Sequence, residues 1–577
     1  MSIPHINNNS TTKIMQSNSS EPNLLLIRSK TRMLIFYKMY WKTILFLATP
    51  LLLLPLYFIG ANNAYPCLYV FLVTAVYWST DVAHPVIISL AALALSSIFS
   101  FFDIEIITSI YVTRSLLDCL GVMMINVAIE YCNVHKRIAL RIILMFGCSH
   151  YRLSFILFFS TLVLSMWVSN VITCGVMIPL VRSILMELEK LGIIEVYENI
   201  DKDRRSTQIY KPTLFTSFYF LGIAYSSSIG GMATLFGSRT NQIFKTIFET
   251  TFPTAPKIEF PHFMLLNLPA ALLLEILVYL WLNFYFLGMF RSYRDASLQM
   301  SMTDEETQYM NTLLSTRYQQ LGKVTFHEAV VSAVIVLAAA LQVTSNTLFT
   351  AYSYHESVMS HIKLSAPSMV CVVLLFIIPI NLDFTKFFKK RTGNLELQTA
   401  PSKTCLNWSL VKDSVPWSVL FVIGSSNTVF EALEQSKMTQ ELEKFFLIFT
   451  SWSAPAAALI VIVLCKTLTE FACNSSVAHA LLPHIARVCV ISKVNPQYLM
   501  LSATLASSLP FHLMTGTPAN AMVLAYVHIP PKVMMLAGFG PSVLAVLTVW
   551  FTVTMWSKAI WPDILLFPKW AEVNSLE

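Results

Sequence analysis

Charge is scarce in this chain. Asp, Glu, Lys and Arg make up 12% of its 577 residues, hydrophobic residues 55%, and the mean hydropathy is +0.62. An ordinary soluble domain is about 25% charged, so a soluble globule is excluded and a polytopic membrane protein is expected. Enzyme signatures are missing too. There is no G-x-S-x-G, no H-E-x-x-H (His327-Glu328 runs on into Ala329-Val330-Val331), and no pair of intramembrane acids. The ten cysteines are scattered, mostly within apolar segments, without C-x-x-C or metal-ligand spacing. They read as small core residues, and no cofactor is expected. No cleavable signal peptide is visible, because about 40 polar and basic residues precede the first apolar run.

What the chain does have is apolar length. Stretches able to span run from Thr43 to Gly60, Pro85 to Phe102, Phe263 to Phe290, Ala329 to Val343, Ala366 to Ile380 and Met534 to Trp556, with others between. The shorter ones need their flanks or a tilt to reach the roughly 20 residues of a full span. The tail before them, residues 1–42, is rich in Asn and Ser and carries six Lys/Arg against one acid. That bias predicts a cytoplasmic N-terminus. Further basic loops fall at Lys136, Arg137 and Arg141, at Arg291, Arg294, Arg317 and Lys323, and from Lys386 to Lys412, whereas Asn346 to Lys363 holds only Lys363. The net charge of +7 then reflects topology and anionic lipid, and nucleic acid is a poor explanation. The sequons at Asn9, Asn18 and Asn407 fall on cytoplasmic segments, the one at Asn474 in a helix break, and none is expected to be used.

One local pattern occurs twice inside apolar surroundings. It reads Ser165-Met166-Trp167-Val168-Ser169-Asn170 in the first half and Thr469-Glu470-Phe471-Ala472-Cys473-Asn474 in the second. Each is followed by Gly-[Ser/Thr]-x-x-Asn: Gly237-Ser238-Arg239-Thr240-Asn241, then Gly516-Thr517-Pro518-Ala519-Asn520. In lipid, a helix breaks only where its freed backbone lines a cavity or binds something. A duplicated pair of breaks points to a secondary transporter built from two repeats. The loop charges fit best if both Asn-centred patterns are tips of re-entrant hairpins, one entering from each face. The expected order is a tail (1–42), then first spans and first repeat (43–290) with a hairpin at 153–188 and a broken helix at 212–250. A cytoplasmic linker (291–326) leads to a second repeat (327–558) with a hairpin at 453–490 and a broken helix at 497–526, followed by a tail (559–577). That gives an all-α protein of about eleven transmembrane helices plus two hairpins, the repeats inverted and the C-terminus outside. The first break is expected from Gly230 to Asn241 and the second from Gly516 to Asn520.

At such tips, carbonyls and amides lose their helical partners. A helix N-terminus adds partial positive charge, and Asn brings both a donor and an acceptor. Facing tips can hold a carboxylate, and the carbonyls and Asn oxygens beside them can hold a hard monovalent cation such as Na⁺. A single Ser-Asn in a span is more often helix–helix hydrogen bonding; four matching breaks in the same order in both halves reverse that. Other polar residues take plainer readings. Glu470 is a proton relay or a structural hydrogen-bonding group. Glu275 is a polar contact between spans, and Asp81 a residue at a span end. His479 and His484, five apart, are wrong for a metal pair on one helical face.

On several of these segments the chain resembles the divalent anion/sodium symporter family. Ile129-Glu130-Tyr131-Cys132-Asn133-Val134-His135-Lys136-Arg137-Ile138-Ala139-Leu140-Arg141 is similar to the family's segment before the first hairpin. Ser165 to Asn170 is similar to the start of its Ser-Asn-Thr motif. Tyr225-Ser226-Ser227-Ser228-Ile229-Gly230-Gly231, Val415-Pro416-Trp417 and the stretch Ser507 to Val523 are similar as well. The resemblance covers nearly everything after the N-terminal tail. It implies an elevator-type homodimer with scaffold and transport domains, carrying di- or tricarboxylates such as succinate and citrate with Na⁺. With no organelle signal evident, the plasma membrane is expected, an intracellular membrane being the alternative. By position, Ser165, Asn170, Gly237 and Asn241 match one family Na⁺ site, and Thr469, Asn474, Gly516 and Asn520 the other. Ser169, Asn170 and Val171, with Cys473, Asn474, Ser475 and Thr517, match the substrate-binding positions.

The chain also departs from the family pattern. Val171 stands where Thr is common, and Cys473 where Ser is. Arg239-Thr240 replaces Gly-Pro, Met514-Thr515 replaces Pro-Val, and Ser425-Ser426 replaces a Gly pair. A cation at Arg239 competes with Na⁺ beside it. A sodium-independent carboxylate exchanger, a sulfate transporter and a transport-inactive sensor are therefore the alternative expectations.

Overall fold

A computed structural model describes residues 29–59, 64–98, 110–198, 211–288, 304–351, 367–382, 402–449 and 452–572. The sequons Asn9 and Asn18, the basic residues Arg291 and Arg294, most of the loop from Asn346 to Lys363, and the basic run at Lys386 to Arg391 lie outside the described residues. The described residues up to Leu52 form one unit and those from Leu53 onward another. Among the described residues the structure is helical, with two isolated bridges (Tyr197 with Pro212, Pro379 with Thr404) and no sheet. Seven helical stretches among the described residues are long and apolar enough to cross a bilayer: 35–57, 115–132, 170–190, 260–287, 326–344, 454–471 and 531–560. Shorter apolar helices lie at 64–80, 85–98, 367–377 and 518–527. The molecule is an all-α, multi-pass membrane protein.

The same arrangement is built twice. Helix His150–Trp167 gives way after two residues to helix Asn170–Lys190, and Ala454–Phe471 gives way after two residues to Asn474–Ile491. The two breaks have matching backbones. Val168 and Ala472 are extended (φ/ψ −109°/145° and −136°/156°), and Ser169 and Cys473 follow at −51°/141° and −59°/135°. Two consecutive extended residues reverse the chain direction and leave the start of the next helix facing the end of the last. The broken helices are Leu214–Ala233 with Arg239–Thr251, and Pro496–Ser507 with Pro518–Val527.

Both breaks close earlier than the sequence pattern suggests. Asn241 and Asn520 are not in the gaps; each is the third residue of the resuming helix, behind Arg239 and Pro518. Local chemistry explains this. Ser238 caps one helix by accepting from the Thr240 amide (3.3 Å), and Pro518, with no N–H to lose, opens the other.

The packing interlocks the two halves. His150–Trp167 lies on Leu214–Ala233, as Ala454–Phe471 lies on Pro496–Ser507. The resuming helices then cross over: Arg239–Thr251 packs on Asn474–Ile491, and Pro518–Val527 on Asn170–Lys190. Tyr225, fully buried, ties the halves by donating to the Phe511 carbonyl at 2.8 Å, with its ring 4.9 Å from that of Phe511. Glu275 is buried and accepts from Ser226 Oγ at 2.6 Å, a polar contact between helices.

The basic stretch His135 to Arg141 lies in a separate helix, Val134–Phe146, entered through Asn133 in the left-handed conformation (φ 62°). Asn tolerates that region better than most residues, which suits it to end one helix and redirect the chain. Arg137 reaches from this helix to the carbonyls of Gly322 (2.9 Å) and Leu321 (3.2 Å) and to Glu328 (3.1 Å). Glu328 also accepts from the Thr325 amide (3.0 Å) while Thr325 Oγ1 accepts from the Glu328 amide (3.2 Å), a reciprocal cap on helix Phe326–Ala351.

Candidate functional site

The breaks converge on two small cages of like construction. In the first, Ser165 Oγ donates to the Ser227 carbonyl at 2.5 Å, and Thr234 Oγ1 donates to the Met166 carbonyl while accepting from the Gly237 amide at 3.1 Å. Asn241 reaches back from the third position of its helix, and its Nδ2 donates to the carbonyls of Thr234 (2.8 Å) and Gly231 (3.1 Å). Its Oδ1 is buried and takes no hydrogen bond. Gly237 lets the strands of this cage approach: a Cβ there would sit 2.6 Å from the Ser165 carbonyl oxygen and 3.0 Å from that of Gly231.

The second cage repeats the first. Thr469 Oγ1 donates to the Ser507 carbonyl at 2.9 Å, and Thr515 Oγ1 to the Glu470 carbonyl at 2.7 Å. Asn520 Nδ2 donates to the carbonyls of Pro510 (3.2 Å) and Leu513 (3.3 Å), and again Oδ1 is buried with no hydrogen bond. A Cβ on Gly516 would lie 2.6 Å from the Thr469 carbonyl oxygen and 2.4 Å from the Pro510 ring. Buried polar atoms in folded proteins are almost always paired. Two equivalent Asn oxygens, each with its own amide engaged and its oxygen unbonded beside carbonyls and hydroxyls, are donors of the type that a hard, weakly charged cation takes.

Between the cages lie the hairpin tips. Helices Asn170–Lys190 and Asn474–Ile491 both start without a side-chain bond from the cap residue, and in the second the first-turn amides are engaged, Ser475 with Asn474 Oδ1 (2.8 Å) and Ser476 with the Cys473 carbonyl (3.0 Å). Asn170 Nδ2 donates to Thr517 Oγ1 (3.5 Å), and the Asn474 amide to the Gly516 carbonyl (3.0 Å). Ser169, Asn170, Val171 and Asn474 line a cavity of about 50 Å³ that Asp118 and Arg239 also face. Cys473 is buried, its Sγ 3.5 Å from Ser475 Oγ and 3.6 Å from Asn474 Oδ1, and Thr517 is buried beneath the tip of the first hairpin. The structure thus brings Ser169, Asn170, Val171 and Asn474 to one surface and keeps Cys473 within its own tip.

Several residues here carried no sequence signal of their own. Thr234, Gln242 and Gln342 are isolated polar residues whose place depends on distant elements, and Thr515 stood out only as a departure from the family pattern. Lys466 does carry a signal: it stands four residues before Glu470 inside an apolar helix, a spacing that pairs charges. Lys466 Nζ is bonded to the Glu470 carboxylate, which also accepts from the amides of Phe511 (3.0 Å) and His512 (2.8 Å). Glu470 therefore pins the loop that builds the second cage. The same pair faces a larger cavity of about 550 Å³, mainly apolar, between Ala454–Phe471 and Phe539–Phe551. It lacks both tip asparagines and is not the candidate site.

Comparison with known proteins bears on this geometry. The family model described as the sodium:sulfate symporter transmembrane region matches residues 37–562. The chain is similar to the Drosophila melanogaster protein I'm not dead yet, 29% identical over 547 residues that cover 93% of this chain and 92% of that protein. It is similar to the Na⁺/citrate cotransporter of Rattus norvegicus, 26% identical over 560 residues, with 92% and 97% of the two chains covered. Na⁺/dicarboxylate cotransporter 3 of Homo sapiens is 26% identical over 586 residues, with 93% and 95% covered.

Proposed function

The chain belongs to the sodium:sulfate symporter family, the divalent anion/sodium symporters, and on that premise we propose that it is a secondary-active carrier of di- and tricarboxylates such as succinate and citrate, driven by Na⁺. The observation that carries this reading is the paired cage, in which Asn241 Oδ1 and Asn520 Oδ1 are both buried and unbonded. Each cage would take one Na⁺ as cargo: Ser165, Asn170, Gly237 and Asn241 in the first, Thr469, Asn474, Gly516 and Asn520 in the second. The substrate carboxylates would lie between the tips, on Ser169, Asn170 and Val171 of one and Cys473, Asn474 and Ser475 of the other, with Thr517 supporting Asn170. Two bound cations offset the charge of a dianion, so no buried Arg or Lys is needed to hold it. The names of the rat and human relatives, citrate and dicarboxylate cotransporters, support the substrate class.

On this reading the interlocked hairpins and broken helices move as one transport domain against a scaffold, in an elevator motion, within a homodimer in the plasma membrane whose N-terminus is cytoplasmic. Uptake of labelled succinate and citrate into cells expressing the chain, with Na⁺ present or replaced by choline, tests it. Sodium-dependent uptake that disappears in Asn170→Ala and Asn474→Ala is expected; surface-expressed protein without uptake would overturn it and favour sulfate or a sensor role. Arg239 supports a second reading. It faces the same cavity as Asn170 and Asn474, where a guanidinium can pair with a carboxylate directly. Uptake indifferent to Na⁺ but lost in Arg239→Gln would establish sodium-independent exchange instead.

A further inference from the structure

Outside the cages and tips, helix Ser418–Gln435 turns a polar face toward the second hairpin. Asn427, Glu431 and Glu434 recur at i, i+4 and i+7, which puts them on one side of a helix. Asn427 Oδ1 accepts from Ser476 Oγ at 2.9 Å. One turn further along the hairpin helix, His479 meets the two glutamates, and ligand atoms from Glu431, Glu434 and His479 all lie within 4.8 Å of one another. Glu434 Oε2 is shielded from solvent and takes no hydrogen bond, with His479 Nδ1 3.8 Å away. A carboxylate oxygen so placed, beside a second carboxylate, is stabilised by a cation, either the protonated imidazole of His479 that it faces or a metal that displaces that proton.

We propose that Glu431, Glu434 and His479 bind a transition-metal dication, Zn²⁺ being the type, and that the bound metal clamps the second hairpin to helix Ser418–Gln435. One imidazole and two carboxylates make a three-ligand zinc set with the fourth position left for water. Zinc–ligand bonds of about 2.0–2.2 Å draw the three atoms closer together than they stand, a change that side-chain rotation supplies. The imidazole favours transition metals over Na⁺, Mg²⁺ and Ca²⁺, which prefer oxygen. His479 is 62% exposed at its side chain, so a metal reaches it without crossing the core. His484 is engaged elsewhere, by Glu443 Oε2 at 3.0 Å, and is not a fourth ligand. The site spans two elements only five residues beyond Asn474, so a metal there fixes the tip against its neighbour. Inhibition of turnover follows from that, and this part rests on the transport reading.

The test uses the purified full-length protein in lipid nanodiscs, titrated with Zn²⁺ by calorimetry and by thermal unfolding, alongside succinate uptake into proteoliposomes. The wild type is expected to bind Zn²⁺ at a saturable site, to melt at a higher temperature with it, and to lose uptake reversibly on its addition. His479→Ala and Glu434→Gln should each weaken binding by about tenfold or more, and His479→Cys, which restores a zinc ligand, should recover it. Binding and stabilisation unchanged in His479→Ala and Glu434→Gln would overturn the site, as would their loss in Cys473→Ser alone, which would place the metal on the tip thiol. Uptake that continues at saturating Zn²⁺ would overturn the clamp. A protein that shows no uptake even without Zn²⁺ counts against the transport reading, and the calorimetry still decides the metal site.

Discussion

At the residue scale, the decisive groups are small and neutral. Gly237 and Gly516 sit where carbonyl oxygens of the hairpin helices approach the resuming chain, and backbone cannot move aside as a flexible side chain would. Gly516→Ala, whose Cβ would meet both the Thr469 carbonyl and Pro510, is expected to cost about 1–3 kcal/mol, in the range of overpacked cores. Measured by thermal unfolding and by uptake, it should lower both the melting temperature and Na⁺ affinity. Gly237→Ala should act the same way through the Ser165 carbonyl. An unchanged Na⁺ dependence in both would remove the cages from the mechanism. Lys466 makes a separate case. Its partner Glu470 is buried and holds two loop amides, so Lys466→Met leaves a charge without its counterion. About 3–5 kcal/mol of stability should be lost, as when one partner of a buried pair is removed. The double variant Lys466→Met/Glu470→Gln should regain part of it, read as melting temperature in the same detergent.

At the element scale, what matters is how each helix ends. The hairpins reverse over two extended residues, and the resuming helices open on a Ser cap or a Pro. Those features were legible in the sequence as polar interruptions of apolar runs. The register was not: Asn241 and Asn520 look like break residues but occupy the third helical position, because capping chemistry one turn earlier restarts the helix. Arg137 illustrates the same dependence on tertiary partners. From sequence it is one of several basic residues on an amphipathic stretch, whereas the fold sets it against Glu328 and the carbonyls of Leu321 and Gly322. Arg137→Ala is expected to destabilise the protein by about 3–5 kcal/mol, the range for breaking a buried pair. Arg137→Lys should recover only part, since a single ammonium nitrogen cannot span the acceptors that the two terminal nitrogens of the guanidinium reach in a fixed fork. Thermal unfolding of the two variants separates these outcomes.

At the scale of the whole molecule, the resuming helices cross between halves, each packing on the other repeat's hairpin. A ligand held in either cage therefore touches elements from several parts of the chain and should stabilise them together. A ligand that binds only the folded protein raises its stability by about 1.4 kcal/mol for each tenfold excess over its dissociation constant. Replacing choline chloride with NaCl at constant ionic strength should therefore raise the melting temperature of the wild type. Asn241→Ala and Asn520→Ala should each remove part of that rise, and together all of it. A rise that survives in the double variant would place Na⁺ elsewhere.

The sequence by itself determined the class: apolar runs long enough to span, too little charge for a soluble fold, and two pairs of polar breaks in the same order. These are local properties, fixed by hydropathy and by which residues stop a helix. Only the tertiary structure decided which atoms meet. Asn170 reaches Thr517 across 347 positions, Tyr225 reaches Phe511, and Glu431 and Glu434 face His479. The amides of Asn241 and Asn520 are taken by carbonyls at the helix ends and loops of the breaks, while their oxygens are left unbonded. Such pairings are set by helices crossing between halves, and periodicity along one chain segment carries no record of a partner hundreds of residues away.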